Sequence, residues 1–176
     1  MRYVGIDPST KTGFVILNEQ LQVLVQEEIS SKQTDPARII EIVDNIMKHL
    51  LPGDFVCIEG FGFASKAGFA LGGIGWSIRM ELFKRNILYR EIAPSTLKKY
   101  TGAGGFADKK KLKVAIEEMW GFSHRNNNVR DAYVLARMAY DWHHQPAGKL
   151  QSEVILGLKA PKIKKTIKKR KVKIVI

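Results

Sequence analysis

The chain has 176 residues, a net charge of +12 and a hydrophobic fraction of 45%. That suffices for one domain with a substantial core, is short for two large ones, and is too apolar for a disordered chain. No run approaches the roughly 18 apolar residues that a membrane helix needs, and Cys57 has no second cysteine with which to pair.

The charge is concentrated at one end. From Lys159 to Lys173 there are nine Lys or Arg and no acid, and setting those aside leaves 20 basic against 17 acidic residues. A nearly balanced body therefore carries a cationic tail. Such a tail is either a solvated end or a contact for nucleic acid, where each neutralised phosphate releases counterions. It has no aromatic or leucine-rich apolar face, which disfavours an anionic membrane surface. The chain opens directly into a strand-like pattern with no signal-peptide layout, so the expected location is cytoplasmic.

In chain order, residues 2–6 and 13–18 read as two strands joined by a turn from Pro8 to Thr12, with 21–29 as a third. Ile39, Ile40, Ile42, Val43, Ile46 and Leu50 recur at helical spacing after Asp35-Pro36, and Pro52-Gly53 ends that helix. Residues 55–58 follow as a buried strand entered through a helical crossover, hence parallel to its neighbour. A long helix over about 65–85, a strand at 87–92 and a brief helix from Pro94 come next. The glycine-rich loop 101–105 precedes a helix capped by Asp108, with Leu112, Ala115, Ile116 and Met119 turned inward. A last helix spans about 129–142, and Pro146-Ala147-Gly148 closes the compact domain, 1–148. Residues 149–176 form the basic tail, whose alternating end could be an edge strand. The fold class is α/β, a mixed sheet with helices on its faces.

Three acids stand at the boundaries of apolar runs. Asp7 ends Tyr3-Val4-Gly5-Ile6, Glu59 ends Phe55-Val56-Cys57-Ile58, and Asp131 opens Ala132-Tyr133-Val134-Leu135-Ala136. The first strand and the strand after the first helix are expected to be neighbours, which puts Asp7 and Glu59 at adjacent strand ends, with Asp131 brought across by the final helix. Each acid alone has a structural explanation: an Asx turn, a solvated strand end, a helix first turn. Together they are better explained as one oxygen-ligand site for Mg²⁺, with Mn²⁺ as a substitute.

Gly5-Ile6-Asp7-Pro8-Ser9 with Thr12-Gly13, then Ile58-Glu59, Pro94-Ser95 with Lys98-Lys99, Lys109-Lys110, and Asp131-Ala132 before an apolar helix together resemble the RuvC-type Holliday junction resolvases. The match covers about residues 1–142, and the lysine-rich end is more like a bacteriophage version than a cellular one. The resemblance implies a ribonuclease H-like mixed sheet flanked by helices. It also implies a nuclease that cuts four-way and other branched DNA by two-metal phosphodiester hydrolysis, in paired nicks made by a homodimer. Asp7, Glu59 and Asp131 match its metal-binding acids.

A fourth ligand, commonly Asp or His, stands three residues before the last acid in that family. Here it is Asn128, which keeps the helical face but contributes less charge; His124 is a spare candidate. Lys98, Lys99, Lys109, Lys110 and Lys111 are expected to meet the DNA backbone, the last three at a helix start that favours phosphate. Phe61 or Phe63 could take the family's role of stacking on an unpaired base. Ala64, Gly68, Gly72 and Gly75 line a smooth helical strip for packing or a dimer contact. Three alternatives remain: an actin-like or sugar-kinase ATPase, disfavoured by length; a module that binds branched DNA without cutting; and a less selective nuclease of the same superfamily.

Overall fold

Five strands form one sheet in the order β3-β2-β1-β4-β5 in a computed structural model, which describes residues 1–60 and 68–160. β1 (Tyr3–Asp7), β2 (Lys11–Leu17) and β3 (Val23–Ser30) make an antiparallel meander. β4 (Phe55–Glu59) and β5 (Leu88–Ile92) lie parallel to β1, each reached through a helix, α1 (Ala37–His49) and α2 (Gly68–Lys84). Then follow α3 (Pro94–Tyr100), α4 (Lys109–Trp120), α5 (Asn127–His143) and α6 (Lys149–Lys159).

The period of two along the strands divides the core. Val4, Ile6, Ile16, Val56 and Ile58 face Ile42, Ile46, Ile74 and Ile78 of α1 and α2. Tyr3, Val15, Leu17, Phe55 and Cys57 face the apolar side of α5, which is backed by α3, α4 and α6. Cys57 is a buried free thiol. α5 is apolar nearly all round because it is enclosed, with Val129, Ala132, Val134, Leu135, Ala136 and Met138 all fully buried.

Two glycines set how closely α5 lies on the sheet. A Cβ at Gly5 of β1 would run into the carbonyl of Ala132, and one at Gly13 of β2 into the carbonyl of Asn128. Backbone touches backbone at both points, and no side chain can be accommodated between them. The first two turns of α5 are thereby pressed onto the ends of β1 and β2.

The compact body runs past the boundary expected at Gly148. α6 folds back onto it, with Val154 and Ile155 in the core and the Gln151 amide donating to the Tyr100 carbonyl at 2.7 Å. Only the part of the expected tail up to Ala160 is described. Met119, expected inward on α4, is 40% exposed, whereas Leu112 and Ile116 are buried as expected. Of the expected small-residue strip, Ala64 lies outside the described residues, Gly72 faces open space and Gly75 is buried, while the neighbouring Gly73 meets Ile39 of α1. The face that α2 exposes carries Trp76, Met80 and Phe83. No described helix is long and apolar enough to cross a membrane.

Candidate active site

β1 and β4 are in register from Tyr3↔Phe55 to Ile6↔Ile58, so the next residue of each strand, Asp7 and Glu59, ends its strand beside the other. Asp131 lies in the second turn of α5, the stretch held down by Gly5 and Gly13. Asp7 is buried, and Glu59 and Asp131 are half-buried. The three expected acids therefore lie at the C-terminal ends of the two central strands and the start of α5.

Their electrostatics are linked. Burial, then a hydrogen bond with Glu59 and the Glu59 charge, holds the Asp7 carboxyl well above the usual carboxylate range. Glu59 is raised by burial and by the charge of Asp131. Burial and the Asp7 charge push Asp131 up to about 7. Asp7 and Glu59 thus act on each other through a hydrogen bond, while Asp131 acts on Glu59 through charge. Lys98 works in the opposite direction on Glu59 and Asp131, and Lys109 on Asp7 and Asp131.

Three carboxyls that penalise one another's ionisation form a donor set short of positive charge, and an all-oxygen set suits a hard divalent cation. By donor chemistry the residues fit such an ion. Among the described residues, however, no group of three or more His, Cys, Asp or Glu is gathered at ligating spacing. Asn128 is used for packing. Its Nδ2 donates to the Lys11 carbonyl at 2.6 Å, tying α5 to the β1–β2 turn. His124 also serves the local chain, its Nδ1 accepting from the Asn126 N–H at 3.1 Å. Asn126 is the cap of α5, accepting from the Asn128 N–H at 2.7 Å.

The lysines divide into two groups. Lys98 ends α3 and Lys109 begins α4, and their charges reach the carboxyls. Lys99, Lys110 and Lys111 are exposed beside them. Asp108 caps α4 by accepting from the Lys110 and Lys111 N–H groups at 2.9 Å each. Those N–H groups are therefore engaged, and the lysine side chains remain to meet an anion. Phe61 and Phe63 lie outside the described residues.

Two residues that sequence reasoning passes over matter here. Arg79 is only 1% exposed, yet its guanidinium donates to the carbonyls of Glu59 at 3.0 Å and Gly75 at 2.8 Å and to Glu91 at 2.7 Å. The peptide after Glu59 is held at both ends, because the Gly60 N–H also donates to the Ile92 carbonyl at 2.8 Å. Phe106, in the loop between α3 and α4, is completely exposed. An arginine is seldom buried and a phenylalanine seldom fully exposed, and neither departure leaves a periodic signal in a sequence.

No family model matches the chain, and no curated protein matches it. Solved structures do. Thermus thermophilus RuvC superposes with a TM-score of 0.66 at 17% identity, over 81% of this chain and 96% of that one. The same organism's RuvC in complex with Holliday junction substrate gives 0.64 at 16% identity, over 82% and 96%. At that identity the likeness speaks for architecture: the chain has the ribonuclease H-like fold of RuvC.

Proposed function

We propose that this protein is a structure-selective endonuclease that cuts Holliday junctions and related branched DNA by cation-dependent phosphodiester hydrolysis. The observation that carries the reading is the placement of Asp7 and Glu59 at the C-terminal ends of the central strands of a RuvC-like sheet, with Asp131 beside them, each carboxyl pushed above its ordinary range. Those three would hold Mg²⁺ or Mn²⁺, which when bound supplies Lewis-acid stabilisation of an in-line displacement at phosphorus. Asn128 stands at the position of a fourth ligand. Its engagement with Lys11 supports a weaker hold there than a carboxylate would give.

The chain's own residues do the rest. Lys98 and Lys109 flank the carboxyls and orient a phosphate against them, while Lys99, Lys110 and Lys111 extend the cationic surface along the backbone of a DNA arm. The basic run from Lys159 to Lys173 adds attraction without sequence preference. Phe61 or Phe63 is proposed to stack on a base at the branch. The exposed α2 face of Trp76, Met80 and Phe83 is proposed as the contact of a homodimer, whose two-fold axis would present two sites to a four-way junction.

Incubation of the protein with end-labelled four-way, forked and linear DNA, with and without Mg²⁺, tests this. Paired Mg²⁺-dependent nicks near the branch are expected. Equal cutting of linear DNA would indicate an unselective nuclease, and tight binding without nicks a binding module.

A further inference from the structure

Phe106 is the most exposed large apolar residue among those described, at 103% of the reference accessibility, so its whole ring stands in water. The loop beneath it is nevertheless well anchored. Thr101 is buried, and its hydroxyl donates to the Lys98 carbonyl at 2.8 Å. The Ala107 N–H donates to the Gly104 carbonyl at 3.0 Å, Ala107 is itself buried, and Asp108 immediately caps α4. Gly105 rests near Ser95 at the start of α3. Gly102 and Gly104 adopt left-handed φ values of 78° and 88°, which glycine takes without strain. A packed base with an unpacked tip presents the ring to solvent.

The stems of this loop carry Lys98 and Lys109, the two lysines whose charges reach the three carboxyls. Lys109 follows Phe106 by three residue steps, about 10 Å of chain at most. An exposed ring on a loop whose stems carry the two cations that act on the proposed centre matches one chemistry: a nucleobase whose face is open and whose phosphate the lysines hold. A base paired within a duplex does not offer that face, whereas one at a branch point or in a single strand does. Resting on the branched-DNA reading above, we infer that Phe106 stacks on an unpaired nucleobase next to the scissile phosphate and so helps the protein select branched over duplex DNA.

Four-way junctions and single strands carrying 2-aminopurine at defined positions, with Ca²⁺ in place of Mg²⁺ to suppress cutting, test the inference. Because the Phe106 ring is fully exposed, Phe106→Ala is expected to fold normally. It should abolish the fluorescence change of 2-aminopurine at one or two positions beside the branch. Junction affinity should fall about tenfold, the order expected for one lost base–aromatic stack, with duplex affinity unchanged. Phe106→Trp should restore both. Unchanged fluorescence and affinity in Phe106→Ala would overturn the inference. So would equal weakening on junction and duplex, or a change in oligomeric state with DNA binding intact, which would place the ring against a second copy of the chain. If the wild-type protein treated junction and duplex alike, the branched-DNA reading would fail by itself. Loss of the single-strand signal in Phe106→Ala would in that case still support the stack.

Discussion

Asp131 illustrates how strongly these carboxyls are constrained. Its pKa lies at about 7 in the folded chain against an ordinary 3.8, so between those values the native state binds more protons than the unfolded chain. Stability of the cation-free protein must then fall as pH rises through that window, and Asp7 and Glu59, also raised, act in the same direction. Melting curves in chelator should show Asp131→Asn more stable than wild type at pH 8, with the gap closing towards pH 5. A constant gap would mean that Asp131 is not held in the unfavourable environment described. Asn128 allows a second residue-scale test. Asn128→Asp replaces a donor that binds the Lys11 carbonyl with a fourth acid. It should lower the cation-free melting temperature and lower the metal concentration that gives half-maximal cleavage. An unchanged metal titration would leave Asn128 as a clamp alone.

At the scale of elements, the site depends on how closely α5 approaches the sheet. Gly13→Ala puts a methyl group against the Asn128 carbonyl, and Gly5→Ala does the same at Ala132. Each should cost about 1–3 kcal/mol of stability by overpacking and reduce cleavage further by lifting Asp131 away from Asp7. Denaturant melts with single-turnover assays check this, and wild-type stability in Gly13→Ala would show that α5 yields easily. These glycines also mark what a sequence can reveal. The strands, the crossover helices and the three acids were legible because apolar runs end abruptly at Asp7 and Glu59 and begin after Asp131. The role of Gly5 and Gly13 was not, because it lies in contacts more than a hundred residues away. α6 was missed because Pro146-Ala147-Gly148 resembles a domain end, although the chain turns there and packs again. The Arg79 clamp on Glu59 depends on burial that its residue type argues against.

For the whole molecule, the proposed function requires one domain to meet a four-armed substrate. Met80 and Phe83 are 53% and 79% exposed on the outer face of α2, next to Trp76 at 57%. On the proposed homodimer contact, Phe83→Asp should leave the fold intact, shift the protein from dimer to monomer in analytical ultracentrifugation and turn the proposed paired cuts into single nicks. A dimer that survives this change would place the two-fold contact elsewhere. The central claim, that Asp7, Glu59 and Asp131 form a cation-dependent centre for cutting branched DNA, is tested most directly by single-turnover cleavage of an end-labelled four-way junction in Mg²⁺. Wild-type protein should nick strands at the branch, and Asp7→Asn, Glu59→Gln and Asp131→Asn should each bind the junction but cut at least about 100-fold more slowly. Undiminished nicking by any of the three, or none by wild type at any Mg²⁺ or Mn²⁺ concentration, would contradict the account.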